Sequence, residues 1–404
     1  MLQKIPDVTT STLPPFTAAF RPAPRVCSMS AASGAPGSRP LRWGFLACGK
    51  IAGDFATALR TDVLLSEEGE PSHAIVACAS TSAARADAFG EAHGVSRSKR
   101  YDNYDALGRD PDVDVVYVSS LHPSHKRDVL GLIAAGKRAI VVEKPMAVNA
   151  KDFEEMRRTA DATGTFLVEG MWTMHFPAVR EARRALEAGE IGDVVHVAAD
   201  FCFTSEPDSI ERIWRAEHAG GGLLDVGVYA VAMACMAFKS AIPTSVVASA
   251  VTRAGVDVTG GAVLRYDVPS ASGDPDPNRD RVGGLAVLSW GVRAASAEVC
   301  RISGTRGSIT IASPMHCPTT VEIASLDGSR TTRTYPLPKT GKASDAFVYR
   351  NSEGLAYEAA AVKACLDAGA KECPEYDATA SRACATIVQR IRDEIGVRYD
   401  CERS

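Results

Sequence analysis

Residues 41–52 read LRWGFLACGKIA, and this stretch decides the fold. The apolar run 41–46 has the length of a buried strand, a turn of small residues follows it, and residues 50–60 have a helical pattern. The same alternation recurs along the chain, with further strands predicted at 74–79, 113–118 and 139–142, and further helices at 83–93, 125–135 and 150–163. Short apolar strands that alternate with helices predict a doubly wound α/β domain with a parallel sheet.

The pattern changes after residue 163, where this first domain, residues 41–163, is predicted to end. Residues 164–404 are predicted to form an α+β domain with a mostly antiparallel sheet. Within it, residues 268–282 are rich in Pro, Asp and Gly and predict an exposed loop, while the uncharged run 226–238 is too short to span a membrane and predicts a buried helix. The strands are predicted at 194–203, 244–252, 261–266, 284–290, 299–303 and 308–312, and the final helices at 352–368 and 378–395.

Residues 1–40 are rich in Pro, Ser and Thr and show no hydrophobic periodicity, so they cannot bury enough apolar surface to fold alone. Three interpretations stay open: an organelle transit peptide, a disordered tail, or translation that begins at Met29. Because prolines disfavour the amphipathic helix of a mitochondrial signal, a transit peptide here would be of the plastid type. A cytoplasmic location is expected otherwise.

The charge balance excludes some classes of function. The chain has 45 Lys and Arg against 49 Asp and Glu, a formal net charge of −4, which argues against binding to nucleic acid or to an anionic membrane. The 11 cysteines are scattered without zinc-like spacing, so no metal site is predicted and reduced thiols are expected.

The turn after the first strand is predicted to bind a dinucleotide. It is a weakened glycine motif in which Gly49 keeps the central position, where a missing side chain lets the backbone approach a pyrophosphate at the start of a helix. The alternative is a turn that only packs strand on helix. A triphosphate loop is excluded because Ile51 lacks the hydroxyl that would bind magnesium. The predicted cofactor contacts in this turn are Ala47, Cys48, Gly49, Lys50 and Ile51.

The residues after the second strand favour NADP over NAD. Ser80 and Thr81 stand where an NAD site usually has an acid for the ribose 2′-hydroxyl, and Arg85 follows them. Hydroxyl groups and a guanidinium suit a 2′-phosphate. The alternative is that Arg85 is only a solvated helix residue.

Two motifs are predicted to carry the chemistry. Glu143-Lys144-Pro145 follows the fourth strand, at the end of a parallel sheet where ligands bind. The glycine-rich turn 220–222 opens an apolar helix on which Asp225 and Tyr229 are four residues apart and share one face. The alternatives are a surface ion pair for the first motif and a helix cap with a core tyrosine for the second.

Taken together, the motifs resemble the glucose–fructose oxidoreductase and inositol dehydrogenase (Gfo/Idh/MocA) family over residues 41–400, in particular its branch of dimeric dihydrodiol dehydrogenases and NADP-linked D-xylose dehydrogenases. The stretches that carry the resemblance are Arg42-Trp43-Gly44, Gly49, Glu143-Lys144-Pro145, Glu169 to Thr173, Phe176-Pro177, Gly220 to Tyr229, Ser303 to Gly307 and Cys317-Pro318-Thr319. The resemblance implies a Rossmann domain, a C-terminal domain with a large open sheet, and a homodimer formed through that sheet.

The resemblance also implies the roles of individual residues. Lys144 would lie near the nicotinamide and Tyr229 would be the acid/base; the cofactor would be surrounded by Ser119, Leu121, His122, Pro123, His125 and Glu143, and the substrate by Trp172, Phe176, Arg212 and Asp225. Met174 and His175 depart from the family pattern, which leaves the substrate open. A Lys144 ammonium beside Tyr229 would lower the pKa of the phenol.

The function predicted from the sequence is an NADP-dependent oxidoreductase. It would transfer a hydride between the nicotinamide and a hydroxyl carbon of a small molecule, either a D-xylose-like sugar or a trans-dihydrodiol. The alternatives are a catalytically silent NAD(P)-binding sensor or scaffold, and a reductase of another carbonyl substrate at the same site.

Overall fold

The computed structural model describes residues 39–65, 69–207, 210–269, 281–340 and 347–402. These residues belong to one compact unit. The predictions for residues 1–38 and for 270–280 lie outside the described residues.

The first sheet has six parallel strands in the order β3-β2-β1-β4-β5-β6. Its centre is almost wholly apolar, because helices cover both faces of such a sheet. The predicted doubly wound sheet is confirmed. Its strands are β1 (Leu41–Leu46), β2 (His73–Ala79), β3 (Arg100–Tyr101), β4 (Val115–Val118), β5 (Ala139–Glu143) and β6 (Phe166–Gly170).

Five helices accompany this sheet. Four of them were predicted within a few residues because their apolar periodicity is strong. They are α1 (Lys50–Ala58), α2 (Ala83–His93), α3 (Tyr104–Arg109), α4 (His125–Ala134) and α5 (Ala150–Thr163), of which α3 was not predicted.

The first sheet extends beyond the predicted domain boundary. β6 follows α5 and pairs in parallel with β5, with Glu143 opposite Gly170. The boundary predicted between residues 163 and 164 therefore precedes the last strand of the sheet. The strand is only five residues long and ends in Glu-Gly, so its pattern alone did not indicate a strand.

The second sheet has eight strands in the order β14-β13-β12-β11-β7-β10-β9-β8. Only the β7–β10 pair is parallel, which confirms the predicted mostly antiparallel sheet. The strands are β7 (Val194–Cys202), β8 (Ser245–Arg253), β9 (Val256–Pro269), β10 (Arg281–Gly291), β11 (Cys300–Gly304), β12 (Gly307–Ile311), β13 (Thr320–Ser325) and β14 (Arg330–Thr334), the last two of which were not predicted.

The second sheet is covered by α6 (Pro177–Glu187), by α7 (Val228–Ala237) and, at β8, by the last helix of the chain. By length and composition, residues 216–237 could cross a membrane. However, 94% of the apolar 18-residue stretch within them is buried inside the protein, as in a core helix. The predicted buried helix at 226–238 corresponds to α7.

The last two helices are α8 (Leu355–Asp367) and α9 (Ala378–Ile395). They pack against the first domain, α8 against α1 and α9 against α5. The carboxylate of Asp54 on α1 accepts hydrogen bonds from the backbone N–H groups of Val348 and Tyr349 at 2.9 Å and from the Ser352 hydroxyl at 2.7 Å. The segment before α8 is thereby fixed beside the start of the first domain.

Candidate active site

The turn after β1 leaves room for a phosphate group. No atom lies within 4 Å of the position that a Cβ at Gly49 would occupy, and the first turn of α1 contains no acidic residue. Ala47 has a φ of 70°, a left-handed conformation that glycine adopts at lower cost. Backbone N–H groups at the start of α1 therefore face open space, which fits the pyrophosphate of a dinucleotide.

The residues after β2 fit a 2′-phosphate. Thr81 and Arg85 are both exposed, and the Arg85 guanidinium donates to Thr81 Oγ1 at 3.3 Å, whereas Ser80 is buried. No acidic residue occupies the first turn of α2. The exposed hydroxyl and cation would attract an anionic group here.

The turn after β4 lies against the turn after β1. Ser119 Oγ donates to the backbone oxygen of Ala47 at 2.8 Å, Leu121 is exposed, and His122 Nδ1 lies 3.3 Å from the backbone oxygen of Ala219. Ser119, Leu121 and His122 thus remain candidates to border a cofactor.

His125 is in a different position from the one that the resemblance implied. It is fully buried, with Nδ1 3.0 Å from the Pro145 oxygen and Nε2 2.9 Å from the Ser120 oxygen. A ring with both nitrogens engaged and no exposed surface cannot touch a cofactor. Its role is to join the turns that follow β4 and β5.

Lys144 reaches from the end of β5 toward the glycine-rich turn. Its Nζ donates to the backbone oxygen of Asp225 at 2.7 Å and lies 4.8 Å from the centre of the Tyr229 ring. Burial lowers the pKa of Lys144, and the charge of Asp225 acts in the opposite direction. The preceding Glu143 accepts a hydrogen bond from the Tyr117 hydroxyl, and its predicted contact with a cofactor stays a prediction.

Tyr229 is buried and accepts a hydrogen bond from Trp172 Nε1 at 3.0 Å. Burial raises the pKa of Tyr229 well above its ordinary value, and the charge of Glu143 adds to the effect. The expected lowering of the Tyr229 pKa is therefore wrong, because the loss of water around a buried phenolate has the largest effect. Tyr229 is a neutral phenol whose own hydrogen is free to be donated.

Arg212 and Asp225 form an ion pair beside Lys144, with Arg212 Nη1 2.6 Å from Asp225 Oδ1. Asp225 lies in a π-helical turn, Leu223–Gly227, that directly precedes α7. The charge of Arg212 lowers the pKa of Asp225 against the effect of burial. The predicted substrate residues Arg212, Asp225 and Trp172 therefore surround the Lys144–Tyr229 pair.

The π-helical turn is fixed by Asp257 on β9. Its Oδ2 accepts hydrogen bonds from the Leu223 N–H and from Trp290 Nε1, both at 2.7 Å. A Cβ at Gly221, where φ is +107°, would lie 2.4 Å from Asp257 Oδ1. Glycine at 221 thus lets the turn approach this carboxylate.

Three residues near Trp172 are buried. The centre of the Phe176 ring lies 5.3 Å from that of Trp172 and 5.4 Å from that of Tyr357, and its predicted contact with substrate stays a prediction. Met174 and His175 are also buried, and burial lowers the pKa of His175 to about 4. These two departures from the family pattern are therefore interior residues.

Two aromatic residues at the site were not predicted. The His316 ring stacks on Phe201 at 4.2 Å and lies 5.6 Å from the Tyr229 ring, and Phe201 itself lies 5.7 Å from that ring. They come from strand β7 and the connection between β12 and β13. Only the adjacent Cys317-Pro318-Thr319 stretch gave a signal in the sequence.

The fold and this site define a dinucleotide-dependent oxidoreductase of two domains. The family described as "Oxidoreductase family, NAD-binding Rossmann fold" matches residues 41–171, and the "GFO/IDH/MocA C-terminal domain" matches residues 179–310. The chain belongs to the Gfo/Idh/MocA oxidoreductase family, and its first domain is an NAD(P)-binding Rossmann domain.

Relatives within the family are similar along nearly their whole length. The trans-1,2-dihydrobenzene-1,2-diol dehydrogenase of Oryctolagus cuniculus is 35% identical over 362 residues, which cover 88% of this chain and 98% of that protein. The enzyme of the same name from Danio rerio is 34% identical over 363 residues, 89% of this chain and 98% of that protein.

Solved structures show the same fold. The 3-ketoreductase KijD10 from Actinomadura kijaniata, in complex with NADP and TDP-benzene, is 25% identical with a TM-score of 0.67, covering 88% of this chain and 98% of that chain. The aldose-aldose oxidoreductase from Caulobacter crescentus is 22% identical with a TM-score of 0.67 and the same coverage, and it supports the fold alone.

Proposed function

We propose that the protein is an NADP-dependent dehydrogenase that transfers a hydride between the nicotinamide and a hydroxyl carbon of a sugar or a cyclic diol. One observation carries this proposal: Lys144 and Tyr229 converge at the end of β5, with the Lys144 Nζ 4.8 Å from the centre of the phenol ring. The relatives are named as diol dehydrogenases, and these names support a diol as the substrate.

The proton chemistry belongs to Tyr229. Because Trp172 donates to Tyr229 Oη, the hydroxyl hydrogen can point to a substrate oxygen, so the phenol is placed to protonate a carbonyl oxygen during reduction and to accept the proton back during oxidation. The Lys144 ammonium stabilises negative charge that develops on that oxygen. When bound, the nicotinamide supplies or accepts the hydride.

The preference for NADP is proposed from the turn after β2. Arg85 and Thr81 are exposed and linked by a hydrogen bond, and the first turn of α2 has no acid to repel a 2′-phosphate. The bound NADP in the KijD10 structures is consistent with this choice.

A substrate panel tests the proposed function. Purified protein is mixed with pentoses, hexoses and trans-dihydrodiols in the presence of NADP or NAD, and absorbance of the reduced nicotinamide is followed. We expect turnover with at least one sugar or diol, faster with NADP. Cofactor binding without turnover on any alcohol or carbonyl would instead support the alternative, a silent sensor or scaffold.

We also propose that the protein is a homodimer formed through its second sheet. Val247, Val263 and Val287 lie side by side on β8, β9 and β10 and are 64%, 41% and 43% exposed. The other face of these strands is covered by α7 at β10 and by α9 at β8, so this row lies on the opposite face of the sheet. Contiguous exposed apolar residues of this kind are typical of an interface.

Light scattering coupled to size-exclusion chromatography tests the dimer. We expect a dimeric wild type and a monomeric V263E variant, because a carboxylate at the centre of the row would be buried without a partner. The matched control is V63E, which changes an exposed valine (48%) of the first domain and leaves the dimer intact. A monomeric wild type would refute the proposal.

A further inference from the structure

A buried carboxyl group behind the active site has no role in the chemistry described so far. Glu358 on α8 is 2% exposed, and neither of its side-chain oxygens has a hydrogen-bond partner among the residues that the structure describes. Buried polar groups without partners are rare in native proteins, and an ionised one is especially costly. Its position therefore needs an explanation.

The position of Glu358 relates it to Lys144. Glu358 Oε1 is 3.4 Å from the place that a Cβ at Gly170 would occupy, so the missing side chain makes room for the carboxyl. Gly170 lies opposite Glu143 in the β5–β6 register, and Lys144 is the next residue. Glu358 thus lies beneath the strand ends from which Lys144 emerges.

The surroundings of Glu358 are acidic. Burial raises its pKa well above its usual range, and the charges of Glu143 and Glu169 add to this effect. A charge on Glu358 in turn raises the pKa of the buried Tyr117 and of the buried Cys373.

The neighbouring carboxyls are already engaged. Glu143 is bound by the Tyr117 hydroxyl. Glu169 is bound by the backbone N–H of Met146 at 2.9 Å and by the Ser381 hydroxyl. On the elements packed against α8, Asp54 of α1 is a further acid and is bound by the Ser352 hydroxyl. Burial lowers the pKa of His175 on the segment after β6 to about 4, so this imidazole is neutral near pH 7 and supplies no cation.

We propose that Glu358 is a proton-holding residue that couples its protonation to the redox state of the bound cofactor. The inference rests on the proposed function and on the expectation that Lys144 would border the nicotinamide ring. The ring is cationic when oxidised and neutral when reduced. A cation that arrives above the strand ends favours the ionised carboxyl, so the O–H bond of Glu358 breaks, the electron pair stays on the carboxylate and the proton passes to solvent. Affinity for NADP⁺ then rises with pH by up to about tenfold per unit, whereas affinity for NADPH does not.

Calorimetry measures this coupling directly. NADP⁺ and NADPH are titrated into the wild type at pH near 7 in phosphate and in Tris, whose ionisation enthalpies differ, so the difference in heat counts the protons released. We expect release with NADP⁺, none with NADPH, and clearly less release in E358Q, which keeps the shape of the neutral carboxyl. The matched control is D367N on the same helix, where Asp367 is half exposed and pairs with Lys363 at 2.7 Å.

The outcomes separate the two proposals. Binding of NADP⁺ without proton release, equal release with NADPH, or unchanged release in E358Q would each overturn the role of Glu358 and leave the dehydrogenase intact. Failure of both cofactors to bind would overturn the proposed function and this inference with it. If E358Q does not fold, infrared spectra of E143Q and of E169Q decide the question, because each removes one of the other buried carboxyls with a raised pKa. In both variants the carbonyl band of a protonated carboxylic acid must weaken on binding NADP⁺ and persist with NADPH.

Discussion

Replacing Tyr229 by Phe removes only the hydroxyl group of the phenol and so tests the role of that group at the site. The ring is 5% exposed and its packing against Phe201 is kept, so the fold is expected to survive. The change removes the acceptor of the 3.0 Å hydrogen bond from Trp172 Nε1. A buried N–H left without a partner costs about 1–3 kcal/mol in free energy of unfolding. Loss of the general acid costs a factor of about 10²–10⁴ in kcat.

The assay combines urea unfolding with steady-state kinetics on the best substrate of the panel. The matched control is Y266F, since Tyr266 is also a buried tyrosine and its hydroxyl has no hydrogen-bond partner in the part of the chain that the structure describes. The control should keep wild-type stability and turnover. If Y229F kept kcat within about twofold of the wild type, the assignment of Tyr229 as acid/base would fail.

Three further changes have distinct expected results. K144M should fold normally by circular dichroism, because the Nζ binds a single backbone oxygen, and kcat should fall on the order of 10²-fold or more; normal turnover would remove Lys144 from the mechanism. R85A should raise KM for NADP about 10–100-fold and leave KM for NAD unchanged, as measured by initial rates. Burial raises the pKa of Glu169 to about 7, so the folded state binds its proton more tightly than the unfolded state does and stability falls as pH rises from about 4.5 to 7. Unfolding at several pH values should show a fall that is smaller in E169Q than in the wild type by about 3 kcal/mol, because the other buried acids keep their own contributions.

The local sequence pattern was sufficient to predict most of the strands and helices expected to bind or flank the cofactor. The strands β1, β2, β4 and β5 and most of their helices follow from the periodicity of apolar residues, which depends on neighbours only a few positions away. The position of Lys144 at the end of a parallel strand follows from the same alternation. The strand β6 was not predicted, because five residues that end in Glu-Gly carry little periodic signal.

The sequence by itself determined the class of fold, the turn that faces the dinucleotide and the two residues expected to carry the chemistry. Only the tertiary structure decided which candidates come together: His125 is enclosed in the interior, whereas His316 joins the site from a distant connection. It also decided that the Tyr229 phenol is neutral and that Glu358 lies unpartnered behind Lys144. The physical reason is that the cost of a buried charge depends on packing between segments far apart in sequence, and no local pattern records that packing.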